Sequence, residues 1–162
     1  MKITKVRDVK TPTRGTSKSA GLDFYIPNDY YEARLNPGMD ILIPSGIKAN
    51  IPEGYMLIAE NKSGVATSSI AMLAAGKTAK PGFFSSSLIV GAKVCDEDYQ
   101  GEIHIHIINV GSEHVIIKPG MKIAQFILVP VKYEDVEVVS ENELFEDTTE
   151  RGDGGFGSTG KY

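Results

Sequence analysis

An all-β fold is predicted for this chain by three observations. Apolar runs of about five to seven residues recur along it, tight Pro/Gly turns separate them, and apolar periodicity of helix length is nearly absent. The turns are Asn36-Pro37-Gly38, Pro44-Ser45-Gly46, Pro52-Glu53-Gly54 and Lys118-Pro119-Gly120. Short strands at this spacing make a β sandwich or barrel.

Taken in order, the candidate strands cover 3–6, 22–26, 39–43, 47–51, 55–60, 88–94, 103–110, 115–117, 123–129 and 136–139. Each is rich in Ile, Val, Leu or aromatics, and most are bounded by turn formers. In the run Ile103-His104-Ile105-His106-Ile107 the isoleucines share one face, and the histidines share the other with Glu102. The one stretch with helix formers lies at 65–75, and Lys80-Pro81-Gly82 ends whatever begins there.

Composition narrows the function. The chain has 162 residues, which suits one globular domain. Net charge is -4 and no Lys/Arg cluster stands out, so a direct nucleic-acid partner is not expected. Cys95 is the sole cysteine, which rules out an internal disulfide or a cysteine-rich zinc site and points to an intracellular protein; its plainest role is as a packed strand residue. The first eight residues, Met1-Lys2-Ile3-Thr4-Lys5-Val6-Arg7-Asp8, form no targeting signal, and no run approaches the roughly 20 apolar residues of a membrane span.

Two segments carry chemistry. The first, 94–103, reads as a tight hairpin with a polar turn, Asp96-Glu97-Asp98-Tyr99-Gln100-Gly101. With Tyr99 at its apex, Val94 would face His104 and Asp96 would face Glu102 across a ladder. Such a hairpin offers backbone groups to a flat ligand and holds Asp96 near a bound water; an ordinary acidic surface turn is the other reading. The second is the tail, which passes from an acidic linker at 140–150 to Arg151-Gly152-Asp153-Gly154-Gly155-Phe156-Gly157-Ser158-Thr159-Gly160. Its five glycines in ten residues keep backbone entropy high. A guanidinium, a ring and two hydroxyls among exposed N–H groups suit a nucleotide's phosphates and base, so 151–162 reads as a closing lid rather than a plain flexible tail.

These segments occur with Ser19-Ala20-Gly21-Leu22-Asp23-Phe24-Tyr25, Asn61-Lys62-Ser63-Gly64-Val65-Ala66 and Gly120-Met121-Lys122-Ile123-Ala124-Gln125. In this order the five resemble the motifs of the homotrimeric deoxyuridine triphosphatases (dUTPases). The resemblance implies a β jelly roll of the β-clip type over 1–139, assembled as a homotrimer whose three active sites are each shared between subunits. It implies hydrolysis of dUTP to dUMP and pyrophosphate, which limits uracil in DNA and supplies dUMP for dTMP synthesis. Asp96 takes the general base's place. Backbone groups at Ala92, Val94 and His104 would pair with uracil, and Tyr99 would lie under the sugar and exclude a 2'-hydroxyl. Lys62, Ser63 and Gly64 match the segment that binds phosphate, and Gln125 matches the α-phosphate contact. Arg151, Gly157, Ser158 and Thr159 would hold the γ-phosphate while Phe156 stacks on uracil. Asp23 matches a supporting acid. Mg2+ is the implied cofactor, held by phosphates and waters with no direct protein ligand.

The chain departs from the family pattern at Cys95, which replaces the usual aliphatic before the carboxylate, and in two further places. Lys62 stands where arginine is usual, keeping the charge without the bidentate fork. Residues 69–85 form an insertion, expected to be a surface excursion or a partner-binding element. Within it Ala75-Gly76-Lys77-Thr78 echoes a P-loop, but Ala71 occupies the place of the required first glycine. Rival readings are a metalloenzyme of cupin type using His104, His106 and His114, a dCTP deaminase of the same fold, and a dUTP-sensing regulatory protein.

Overall fold

The computed structural model describes residues 1–66 and 88–155. Two compact units divide the chain, Met1–Lys132 and Tyr133–Tyr162. The first is built from antiparallel strands, as the turns predict: β1 (Lys2–Lys5), β2 (Leu22–Tyr25), β3 (Ala33–Leu35), β4 (Asp40–Pro44), β5 (Ile47–Asn50) and β6 (Tyr55–Asn61). A single helical turn, α1 (Ser63–Ala66), comes next, followed by β7 (Leu88–Val90), β8 (Val94–Cys95), β9 (His104–Asn109), β10 (Val115–Ile117) and β11 (Lys122–Pro130). The larger sheets run β2-β11-β6-β8 and β4-β9-β7; β1 pairs with β5 and β10 with β3.

The turns close where glycine was read. Gly38, Gly46, Gly54 and Gly120 all have φ between 74° and 76°, the left-handed region that a Cβ penalises. At Gly46 a side chain would also run into Val9. Alternation places the core: Ile105 and Ile107 of β9 are buried, whereas His104 and His106 are not. Phe24 and Phe126 meet at the centre with ring centroids 4.3 Å apart, a tilted aromatic pair that adds to its burial.

One buried polar side chain ties the loop after β9. Asn109 is fully buried; its Nδ2 donates to the carbonyls of Leu35 (3.1 Å) and Glu113 (2.8 Å), and its Oδ1 accepts from the Gly111 N–H (3.0 Å). Asn109→Ala strands these partners and is expected to cost roughly 3 kcal/mol. Denaturant midpoints at one protein concentration will show the loss, with an unchanged m-value.

Three sequence expectations differ from the structure. The strand expected at 136–139 does not form, and Val136 and Val138 are 93% and 94% exposed; its Val/Glu alternation has the right period, but no described strand pairs with it. The short strand β3 was missed because Ala33-Arg34-Leu35 has no β-branched or aromatic residue to mark it. The run at 88–94 is broken into β7 and β8, which belong to different sheets, and this break creates the site. No described helix is long and apolar enough to cross a membrane.

Candidate active site

Hydrogen-bond alternation explains how a cavity opens beside β8 and β9. The Asn109 N–H bonds to the Met39 carbonyl and the Ser45 N–H to the Ile103 carbonyl, so odd-numbered residues of β9 bond to β4. Even-numbered residues therefore turn their peptide groups to the other side, where the Gly91 N–H donates to the His106 carbonyl (3.0 Å). His104 faces the same way, but the chain that would have paired with it has already crossed to β6, where the Ala59 N–H donates to the Lys93 carbonyl (2.7 Å). In that pairing Ile58 and Val94 form a non-hydrogen-bonded pair, which turns the Val94 peptide groups away from β6. Val94 and His104 thus aim backbone donors and acceptors into one gap.

The gap is a cavity of about 220 Å³. Ala92, Val94, Asp96, Tyr99 and His104 line it together with Leu42 and Phe126. Five of the expected site residues meet here. The expected ladder, with Val94 opposite His104 and Asp96 opposite Glu102, does not form: β8 pairs with β6 and β9 with β4 and β7. The arms separate because each finds a longer partner in its own sheet, and the separation makes room for a ligand.

The tip is held by its own carbonyl. The Tyr99 N–H bonds to the Asp96 carbonyl (3.2 Å), the Tyr99 hydroxyl donates to the Glu102 carbonyl (2.9 Å), and His104 Nδ1 donates to that same oxygen (2.8 Å). The ring lies across Gly101, where any Cβ would overlap it. Two of the turn's carboxylates are engaged. Glu97 accepts from the Gly54 N–H. Glu102 accepts from Gly46 N–H (2.7 Å) and Arg7 Nε (2.8 Å). Burial pushes the Glu102 carboxyl up, but these bonds and the Arg7 charge outweigh it and leave it below the ordinary range. Asp96 has no such partner among the described residues and lies exposed at the cavity. Cys95 is half-buried against the core, as a packed strand residue should be. Burial, then the neighbouring Asp96 charge, pushes its thiol up and away from reactivity.

A second group lies where β2, β11 and β6 run side by side. Asp23 is 5% exposed and sits between two ammonium groups, Lys62 on one oxygen and Lys122 on the other (2.9 Å). Gln125 lies across from Asp23 in the ladder and donates to the Asn61 carbonyl (2.9 Å). Gly21 leaves the space that the Gln125 side chain fills. The Lys62 carbonyl accepts from the Val65 and Ala66 N–H groups (2.9 and 2.8 Å), which forms α1 with Ser63 and Gly64 exposed at its start. Asp23, Lys62, Ser63, Gly64 and Gln125 are not in the lining of the cavity. Gln125 and Phe126 are neighbours on opposite faces of β11, so only Phe126 reaches it. Lys122 was missed by sequence reading; it sits inside a quoted motif, but only the β2–β11 register shows that it reaches Asp23.

Burial raises the Asp23 carboxyl, and the hydrogen bonds and charges of Lys62 and Lys122 more than reverse this, leaving it below its ordinary value. A lowered folded value means that its stabilisation is present above about pH 4, the unfolded value, and is lost as pH falls through the folded one. Stability measured from about pH 6 down to about pH 2 is expected to fall less steeply in Asp23→Asn than in the native chain.

In the C-terminal unit the Arg151 Nε donates to the Gly154 carbonyl (2.9 Å), and Gly152 has φ 52°. Phe156, Gly157, Ser158 and Thr159 lie outside the described residues, as do the insertion 69–85 and its P-loop echo. The His-x-His pair does not assemble a metal centre among the described residues. His106 has both ring nitrogens engaged, by Asp40 and Ala92, and Glu102 is turned to Arg7.

Known proteins resemble this chain in sequence and in fold. A family profile described as dUTPase matches residues 81–160. The chain is 38% identical over 159 residues to the deoxyuridine 5'-triphosphate nucleotidohydrolase of Hydrogenobaculum sp. (strain Y04AAS1), covering 98% of this chain and 96% of that protein. It is 41% identical over 149 residues to the enzyme of the same name from Chlamydia pneumoniae, covering 92% and 90%. Among solved structures, the dUTPase of Staphylococcus bacteriophage 80alpha with dUpNHpp superposes with a TM-score of 0.76 at 22% identity, covering 98% of this chain and 97% of that one. The last is a likeness of fold.

Proposed function

The chain belongs to the dUTPase family, and from that membership we propose that it is a dUTP diphosphatase, hydrolysing dUTP to dUMP and pyrophosphate. The observation that carries the reading is the cavity between two split strand edges, with an unengaged carboxylate and an aromatic ring at its lining. Uracil is flat and has a donor between two acceptors, so the Val94 and His104 peptide groups suit it; the Ala92 N–H is already bonded to His106, which leaves the Ala92 carbonyl. Tyr99, braced on Glu102, would lie under the deoxyribose and leave no space for a 2'-hydroxyl.

Asp96 would accept the proton of a water that attacks the α-phosphorus in line with the leaving pyrophosphate. Catalysis then rests on positioning and on neutralising the triphosphate. Gln125, Ser63 and Gly64 would contact the phosphate chain, with Lys62 and Lys122 supplying positive charge around Asp23. Because this group lies outside the cavity of its own chain, a homotrimer in which one subunit's phosphate group meets another's uracil cavity accommodates both. Arg151, Phe156, Gly157, Ser158 and Thr159 would close over the nucleotide. Both Asp23 oxygens are taken by lysines, a donor set that suits Mg2+ carried by phosphate oxygens and water rather than by side chains. Its charge would offset that of the leaving group. A cytoplasmic location fits the nucleotide substrate and the single thiol.

The test is pyrophosphate release with Mg2+ from dUTP, dTTP, dCTP and UTP in parallel, with ammonia followed for dCTP. Release confined to dUTP is expected. Ammonia from dCTP would transfer the chain to the deaminase reading, and a folded protein inert on all four would leave only binding.

A further inference from the structure

The cavity wall at Ala92 is held by a side chain rather than by a sheet. The last rung between β7 and β9 joins Gly91 to His106, and by Lys93 the chain is bonded to β6. Between them the Ala92 N–H donates to Nδ1 of His106 (3.0 Å), and His106 Nε2 lies 2.8 Å from a carboxylate oxygen of Asp40. Nδ1 must be unprotonated to accept, so the ring proton sits on Nε2 and is donated to Asp40; the two partners select one tautomer. The ring occupies the space over Gly91, where any Cβ would overlap it. The crossing from one sheet to the other is thus fitted to this imidazole.

We propose that His106, oriented by Asp40, is a positioning residue for base recognition: by accepting the Ala92 N–H it sets where the chain leaves β9, and so the spacing between the Val94 and His104 peptide edges. The proposal rests on reading this cavity as the dUTP site. On the shared face of β4, β9 and β7, the ionisable groups beside His106 are Asp40 and His104; Leu42, Ile89 and Gly91 carry none. Lys93 is turned to Glu60 (2.9 Å) in the other sheet.

Two variants of the full chain separate positioning from bulk. His106→Asn offers an amide oxygen near the place of Nδ1; His106→Leu fills the space without an acceptor. For dUTP at pH 8, His106→Leu is expected to raise KM about ten-fold, the worth of one lost hydrogen bond, with kcat within about two-fold. His106→Asn should stay near native. Hydrogen exchange of 88–96 in the ligand-free protein should be faster in His106→Leu than in the native chain and restored in His106→Asn. A native KM and native exchange in His106→Leu, or exchange in His106→Asn as fast as in His106→Leu, would overturn the proposal. The exchange measurement needs no turnover, so an inactive native protein would sink the dUTP reading while still deciding whether His106 holds the wall.

Discussion

Asp96→Asn is expected to lower dUTP hydrolysis by roughly 10²- to 10⁴-fold, the usual worth of a positioned general base, while binding of dUTP stays near native. The substitution keeps size and shape and removes the ability to take a proton. It should also leave the fold intact, because the Asp96 side chain makes no hydrogen bond or ion pair among the described residues, unlike those of Glu97 and Glu102 in the same hairpin. Single-turnover kinetics with a parallel binding measurement will separate the two effects. Turnover within a few-fold of native would move the base elsewhere, with His104, which also lines the cavity, as the next candidate.

Ending the chain after Glu150 is expected to reduce hydrolysis by at least about 10²-fold, through lost orientation of the phosphates and readmitted water. Among the described residues the buried apolar core lies within 9–126, so the shortened protein should keep its circular dichroism spectrum and its oligomeric state. Loss of activity without loss of fold is the result that supports a lid in 151–162. Activity retained in the shortened chain would reduce that segment to a tail, and restoring 151–155 alone would show whether Arg151 suffices.

The strand assignments show where sequence was informative. The four Pro/Gly turns and the Ile/His alternation of β9 are local patterns, and each appears in the structure at its expected residues. The break at Gly91-Ala92-Lys93 was not legible, because 88–94 is an unbroken β pattern and nothing in it says that its halves join different sheets. The same reason explains the missing ladder between Val94 and His104. Among the site residues, Ala92, Val94, Asp96, Tyr99 and His104 were named from motif resemblance and fall around one cavity; Lys122 was not named, and His106 was read only as a candidate metal ligand.

The sequence by itself determined the all-β class, the places of the turns, the faces of the strands and, through five motifs in order, the family. These follow from short-range rules, since side-chain alternation and glycine's access to positive φ need only a few neighbouring residues. Tertiary structure alone decided which strand pairs with which, and hence that two arms of one turn part to open a cavity. It also decided that Asp23 is shared by lysines 39 and 99 residues away in sequence, and that His106 spans Asp40 and Ala92. Period and propensity specify a face but never a partner, and a hydrogen bond or ion pair across such separations is chosen only when the sheets register against one another.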